Sequence, residues 1–279
     1  MASPKEIAYL GPEGTYAHEM ALKRYRGKRV MFTPCLSVEA VFEHVARSPQ
    51  RRGVVPIVNS SGGTIYETID GLMNEDLGLR IEEELSLDVR LALLGRKRQP
   101  IETIYSHFVP FEHCDQWLRR RYPGVNRVPM NSTAISAREA SHSDCAAAIS
   151  NRRAAAIYGL DVLVFPIPGI SKTNVTHFII VGRKPDRLPR TSKTSLAVYL
   201  HNQPGALLDF LTPMAEAGLN LSTLISRPIK GKPRQYAFFV DVDGDVNQPR
   251  MKKALKKACR KVDQVLVLGS YPSFRAYTS

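Results

Sequence analysis

From Ile7 onward, short apolar β-rich runs alternate with helical stretches, and this alternation constrains the fold more than any other feature of the chain. Residues 7–10, 54–58, 81–94, 104–107 and 145–149 read as strands. Residues 17–25, 37–46, 112–122 and 151–158, and a stretch ending at Ala140, read as helices, with Ser37 an N-cap and Gly159 a C-terminal stop. The run 81–94 is long enough to cross between two lobes. Strands alternating with helices predict an α/β fold with largely parallel sheets and helices on both faces.

The strand ends carry the polar chemistry. Gly11-Pro12-Glu13-Gly14-Thr15-Tyr16 joins a strand to a helix and exposes backbone N–H groups that suit a carboxylate or phosphate. Tight turns also use glycine for purely steric reasons. Asn59-Ser60-Ser61-Gly62-Gly63-Thr64 offers an amide, small hydroxyls and two glycines, a donor-rich cradle or an ordinary turn. Ser132 and Thr133 place a hydroxyl pair at a helix start. The stretch Asn174-Val175-Thr176-His177-Phe178 leads from a loop into a buried strand. There a hydroxyl beside an imidazole can bind a small polar substrate and move a proton, or merely cap loose backbone groups. Four polar strand ends from distant parts of the chain predict one cleft between two lobes.

Residues 186–193, with Pro189 and no periodicity, read as a linker that follows a unit of residues 1–185. Residues 194–279 carry strand 196–200, helix 206–217, strand 219–227, a turn at 230–233, strand 235–242, a Lys-rich helix opened by Pro249, and strand 265–268. That order is βαββαβ, the ferredoxin-like unit.

The formal charge of +13 raises nucleic acid as a partner. Its basic segments, 119–121, 183–193 and 252–261, read as solvated helix faces and a linker. No aromatic stacking platform or reading helix accompanies them, so a small anionic metabolite is the expected ligand and nucleic acid is not. No apolar run spans a bilayer and the first residues lack a secretion signal's apolar core, so a cytoplasmic protein without membrane partners is expected. The four cysteines are scattered and the seven histidines lack ligand spacing, so no metal and no organic cofactor are expected.

Taken together, the motifs 11–16, Pro56-Ile57-Val58-Asn59-Ser60, Ser106-His107, Asn131-Ser132-Thr133-Ala134, 174–178, Gly205-Ala206-Leu207-Leu208 and Ser226-Arg227-Pro228 resemble prephenate dehydratase with a C-terminal ACT regulatory domain. The resemblance covers nearly the whole chain. It implies a two-lobed catalytic domain like a type II periplasmic binding protein, followed by a ferredoxin-like ACT domain. It implies Thr176 and His177 at the reacting centre, with Thr15, Asn59, Ser60, Ser61, Gly62, Ser106, His107, Ser132, Thr133 and Phe178 around the substrate. It also implies a homodimer or homotetramer, and a phenylalanine effector bound by Gly205, Ala206, Leu207, Leu208, Ser226, Arg227 and Pro228.

Four motifs depart from the family pattern. His177 stands where the family shows arginine, Val58 where it shows glutamate, Phe108-Val109 where it shows Pro-Gln, and Ile225 where it shows glutamate. Loss of an arginine fork, a carboxylate and an amide changes what a cleft can hold. In the family reaction prephenate loses CO2 and water, and loss of hydroxide needs a donor aimed at the departing oxygen. Decarboxylation needs only a desolvated carboxylate. The sequence therefore leads first to a carbon lyase that decarboxylates prephenate without aromatising the ring. The alternative is a prephenate dehydratase of phenylalanine biosynthesis, with His177 as the substitute donor. A third possibility is a catalytically dead sensor. Ile225 predicts a weak or altered phenylalanine response.

Overall fold

The computed structural model describes residues 5–169, 174–183, 191–229, 235–273 and 275–279. In chain order the first lobe takes β1 (Glu6–Leu10), α1 (Tyr16–Arg24), β2 (Met31–Cys35), α2 (Val38–Ala46), β3 (Arg51–Asn59), β4 (Gly63–Thr64), α3 (Tyr66–Met73) and β5 (Arg80–Asp88). The second lobe takes β6 (Ala92–Gly95), β7 (Thr103–Ser106), α4 (Phe108–Arg121), β8 (Asn126–Pro129), α5 (Thr133–Ala140), β9 (Ala146–Ser150), α6 (Arg152–Tyr158) and β10 (Asp161–Val164). Then β11 (Val175–Gly182) returns to the first lobe. A third unit follows with β12 (Lys193–Tyr199), α7 (Ala206–Glu216), β13 (Leu221–Pro228), β14 (Tyr236–Asp243), α8 (Pro249–Ala258) and β15 (Gln264–Tyr271), and the chain ends in β16 (Arg275–Thr278).

The first sheet runs β16-β5-β11-β3-β1-β2, the second β10-β6-β9-β7-β8, and the third β13-β14-β12-β15. The first two are mixed rather than largely parallel. Strand β11 arrives from the other lobe and runs antiparallel to both β3 and β5. Likewise β6 runs antiparallel to β9 and β10. The apolar run 81–94 is two strands, because the chain changes lobe between them. Helix α4 begins about a turn earlier than residue 112, where the His107 ring caps the backbone N–H of Val109.

Local sequence explains the packing. In α2, Val38, Val41, Phe42 and Val45 fall on one helical face, and all four are buried. Burying each large apolar side chain contributes roughly 1.5–3 kcal/mol. Helix α3 approaches α2 closely at Gly71, where a Cβ would stand 2.2 Å from the Phe42 ring. A Gly71→Ala exchange would force the two helices apart.

One apolar core runs beneath both lobes, with Tyr9, Leu85 and Phe178 from the first sheet and Leu93, Ile104 and Ile149 from the second. The far face of the first sheet shares a second core with the third unit. There Ile57, Ile81, Ile179 and Val181 meet Ala197, Phe239, Leu268 and Tyr271. Contact is close at Gly269, where a Cβ would lie 2.4 Å from the backbone oxygen of Ile81. Two expected boundaries shift as a result. Lys193 is the buried first residue of β12 rather than linker, and residues 275–278 pair with β5 of the first lobe. Residues 186–190 of the expected linker and the turn at 230–233 lie outside the described residues. Among the described residues no helix is long and apolar enough to cross a membrane.

Candidate active site

A cleft of about 380 Å³ opens between the two lobes. Its floor includes Val89 and Leu91, on the segment that crosses from β5 to β6, together with Phe178 and Pro56 of the first sheet. Thr15, Asn59, Gly62, His107, Ser132, Thr133, Thr176 and Phe178 line it, as do Tyr16, Ile65, Asn131 and Asn174. Strand ends far apart in sequence thus meet because the chain crosses between lobes and returns.

No Lys, Arg, Asp or Glu is among the described residues lining the cleft. Three helices start there instead. Thr15 caps α1, His107 caps α4 and Ser132 caps α5, each accepting from a first-turn N–H of its helix. Each start also presents backbone N–H groups that helix geometry leaves without a carbonyl partner. Those groups and the aligned helix dipoles favour an anion. His107 contributes no formal charge at neutral pH, because burial pushes its imidazole below the usual histidine range. Its Nδ1 accepts from Val109 at 3.4 Å, which leaves the ring proton on Nε2.

Asn59 organises the reacting end. Its Oδ1 accepts from the backbone N–H groups of Ser61 at 2.9 Å and Gly62 at 2.7 Å. The amide nitrogen must therefore face the other way, where it donates to Thr176 Oγ1 at 2.8 Å and Asn174 Oδ1 at 3.2 Å. With its oxygen already accepting, the Thr176 hydroxyl is left to donate its own proton. At 8% exposure that donor sits in a dry setting where it counts most.

Four expected site residues, three substrate contacts and the catalytic His177, are not among the cleft-lining residues. Ser60 ties β3 to β11: its N–H donates to Val175 O at 2.8 Å, and its Oγ accepts from Val175 N at 2.9 Å. Ser61 supplies the N–H that Asn59 accepts. Ser106 is fully buried and donates to Ile149 O at 3.3 Å. His177 is the important correction. Successive side chains of a strand alternate in direction, so Thr176 and Phe178 face the cleft while His177 faces the third unit. Its Nδ1 lies 3.2 Å from Glu84 Oε1, a close polar contact short of a well-aligned hydrogen bond. In the β3–β11 register His177 stands opposite Val58. Two of the family departures are thus one cross-strand pair, and neither partner lines the cleft. Asn174 was absent from the sequence-derived site, although it opens the motif that carries Thr176.

Of the expected effector residues, Gly205 holds a φ of 86° ahead of α7, and a Cβ there would meet open space, so the backbone conformation is what favours glycine. Ala206 is buried, Leu207 half-buried, and Leu208, Ser226 and Pro228 are exposed. Arg227 reaches the first lobe. It pairs with Asp70 through two bonds of 2.6 Å and lies 4.6 Å over the Tyr66 ring. Ile225 packs against the core shared by both units. Among the described residues no group of three His, Cys, Asp or Glu could hold a metal.

Fold and cleft together define a two-lobed α/β unit with three helix N-termini at the cleft between its lobes, joined to a βαββαβ unit. The prephenate dehydratase family model matches residues 7–186 and the ACT domain model residues 194–260. A bifunctional chorismate mutase/prephenate dehydratase of Pseudomonas aeruginosa is 35% identical over 98% of this chain and 74% of its own length. The crystal structure of prephenate dehydratase from Arthrobacter aurescens in complex with L-Phe aligns with a TM-score of 0.86 at 33% identity, covering 96% of this chain and 90% of that one. A structure described as a novel type of quorum-quenching acylase aligns equally well at 26% identity, covering 96% and 98%. The chain belongs to the prephenate dehydratase family and carries a C-terminal ACT domain. It is a lyase-family enzyme with the periplasmic-binding-protein-like fold of that family.

Proposed function

We propose that the chain is a prephenate dehydratase, converting prephenate to phenylpyruvate, CO2 and water. The observation that carries this is the orientation of Thr176, whose hydroxyl is left as a donor by the Asn59 amide. The carboxylates of prephenate would rest on the first turns of α1, α4 and α5, and its ring on Phe178, Pro56 and Leu91. As the bond to the ring carboxylate breaks, its electron pair moves through the ring and expels the 4-hydroxyl, which takes one proton from solvent to leave as water. Thr176 donates to that oxygen as charge develops on it. The apolar floor favours release of the neutral CO2.

The non-aromatising decarboxylase expected from sequence rested on a missing donor and on an imidazole in the cleft. Thr176 fills the first role, and His177 lies on the opposite face of the sheet, so the dehydratase alternative is the better supported, with Thr176 in place of the His177 donor expected from sequence. Amide hydrolysis, suggested by the acylase neighbour, would need a base beside its nucleophile. The partner of Thr176 is an amide with no basic atom. We further assign phenylalanine as the ACT effector, by analogy with the Arthrobacter protein, in a homodimer or homotetramer. The response should be weak, because Ile225 offers no acceptor to an amino group. Phenylpyruvate formation by purified protein tests the reaction; prephenate left unchanged would indicate a sensor instead.

A further inference from the structure

Behind Thr176, on the face of the first sheet turned from the cleft, lies a buried line of charge. Glu84 Oε2 is 2.7 Å from Lys193 Nζ, and each side chain is 8% exposed. Glu84 Oε1 meets His177 Nδ1 at 3.2 Å, and Lys193 Nζ is 4.0 Å from Asp241 Oδ2. The Ser195 hydroxyl donates to Asp241 and lies 2.6 Å from the Tyr271 hydroxyl. The ACT domain thus places an ammonium under β5 and its neighbour β11, the strand that carries Thr176. The register of β11 against β3 is irregular between His177 and Phe178, one residue beyond Thr176. A ladder interrupted there holds its strand less firmly than a regular one.

We propose that Glu84 and Lys193 are positioning residues for Thr176, with Glu84 anchoring β11 through His177 and Lys193 of the ACT domain fixing Glu84. This rests on the assignment of Thr176 as the donor to the departing hydroxyl. Removing Lys193 leaves a carboxylate buried without its nearest charged partner, which draws in water or moves the strand. A displacement near 1 Å at a reacting group costs about a hundredfold in rate.

The test uses the full chain with Lys193→Met, Lys193→Arg, Glu84→Gln and the double variant Lys193→Met with Glu84→Gln. We expect kcat to fall about ten- to hundredfold in Lys193→Met, with KM changed less than about threefold. Lys193→Arg should restore the rate, and the double variant should be no slower than the slower single, because the two act as one unit. Amide hydrogen exchange in residues 174–178 should quicken in Lys193→Met, while residues 6–10 stay unchanged. Glu84→Gln keeps the side-chain volume and provides the reading where Lys193→Met does not fold. An unchanged kcat in the folded single variants, additive losses in the double, or unchanged exchange at 174–178 would overturn the proposal. Wild-type protein that makes no phenylpyruvate would refute the assigned reaction alone, and the exchange measurement would then decide the positioning role.

Discussion

Replacing Asn59 by aspartate changes almost nothing in shape and reverses one hydrogen bond. The oxygen that accepts from Ser61 at 2.9 Å and Gly62 at 2.7 Å remains an oxygen. The nitrogen that donates to Thr176 at 2.8 Å becomes a second oxygen, so the Thr176 hydroxyl must turn its proton toward the new carboxylate. The departing hydroxyl then loses its donor. Removing one donor from a site of developing charge costs about 10²–10³ in kcat, or roughly 3–4 kcal/mol. The new negative charge also opposes an anionic substrate, so KM should rise. Stability should fall only modestly, since the bond to Thr176 is exchanged for another while the 3.2 Å bond to Asn174 is lost, a net cost of about 1 kcal/mol. The melting temperature then moves by no more than ~2–4 °C. Steady-state assay of phenylpyruvate formation, beside a thermal melt, measures both. A kcat within about threefold of wild type would refute the donor role of Thr176, because a lost transition-state interaction must appear in kcat.

Thr176→Val keeps the shape without the hydroxyl and should lose about 10²–10³ in kcat, whereas Thr176→Ser should stay within about tenfold, both read by the same assay. His177→Arg should leave phenylpyruvate as the product, since position 177 faces away from the cleft; a new product detected by NMR would contradict that. Glu84 gives the ACT contact an acid dependence. Burial raises its carboxyl, but His177 and Lys193 outweigh burial and hold it below the usual range. Its stabilising contribution is therefore complete above the ordinary glutamate value of about 4.3 and disappears as pH falls through the lower folded value. Asp241 works in the opposite direction, because burial raises its carboxyl. Melting temperature measured from pH 6 to pH 3 should fall less steeply in Glu84→Gln than in wild type, and identical slopes would remove Glu84 from the explanation.

Much of this was legible in the sequence because strand-end loops announce themselves. Small polar residues after apolar runs marked Thr15, Asn59, Ser132 and Thr176, and the lobe crossing brings them together. The βαββαβ order was equally plain from its turns. What sequence could not give is which face of a strand a residue occupies. Residues 176 and 177 are neighbours, yet one lines the cleft and the other meets Glu84. That choice depends on register, and β11 contains an irregularity beside these residues. The departures at 58 and 177 looked like independent losses from the cleft because their cross-strand pairing depends on three-dimensional register. Strand β16 was missed because its four residues carry little apolar pattern and pair with a strand nearly two hundred residues earlier. Lys193 looked like linker because a lysine in a basic segment gives no sign of a buried partner 109 positions away.

The most direct measurement is proton NMR of purified protein mixed with prephenate. Loss of the ring-alkene signals with growth of the aromatic signals of phenylpyruvate is the predicted result. Ring-alkene signals that persist in a decarboxylated product would contradict a donor at Thr176 acting on the departing hydroxyl.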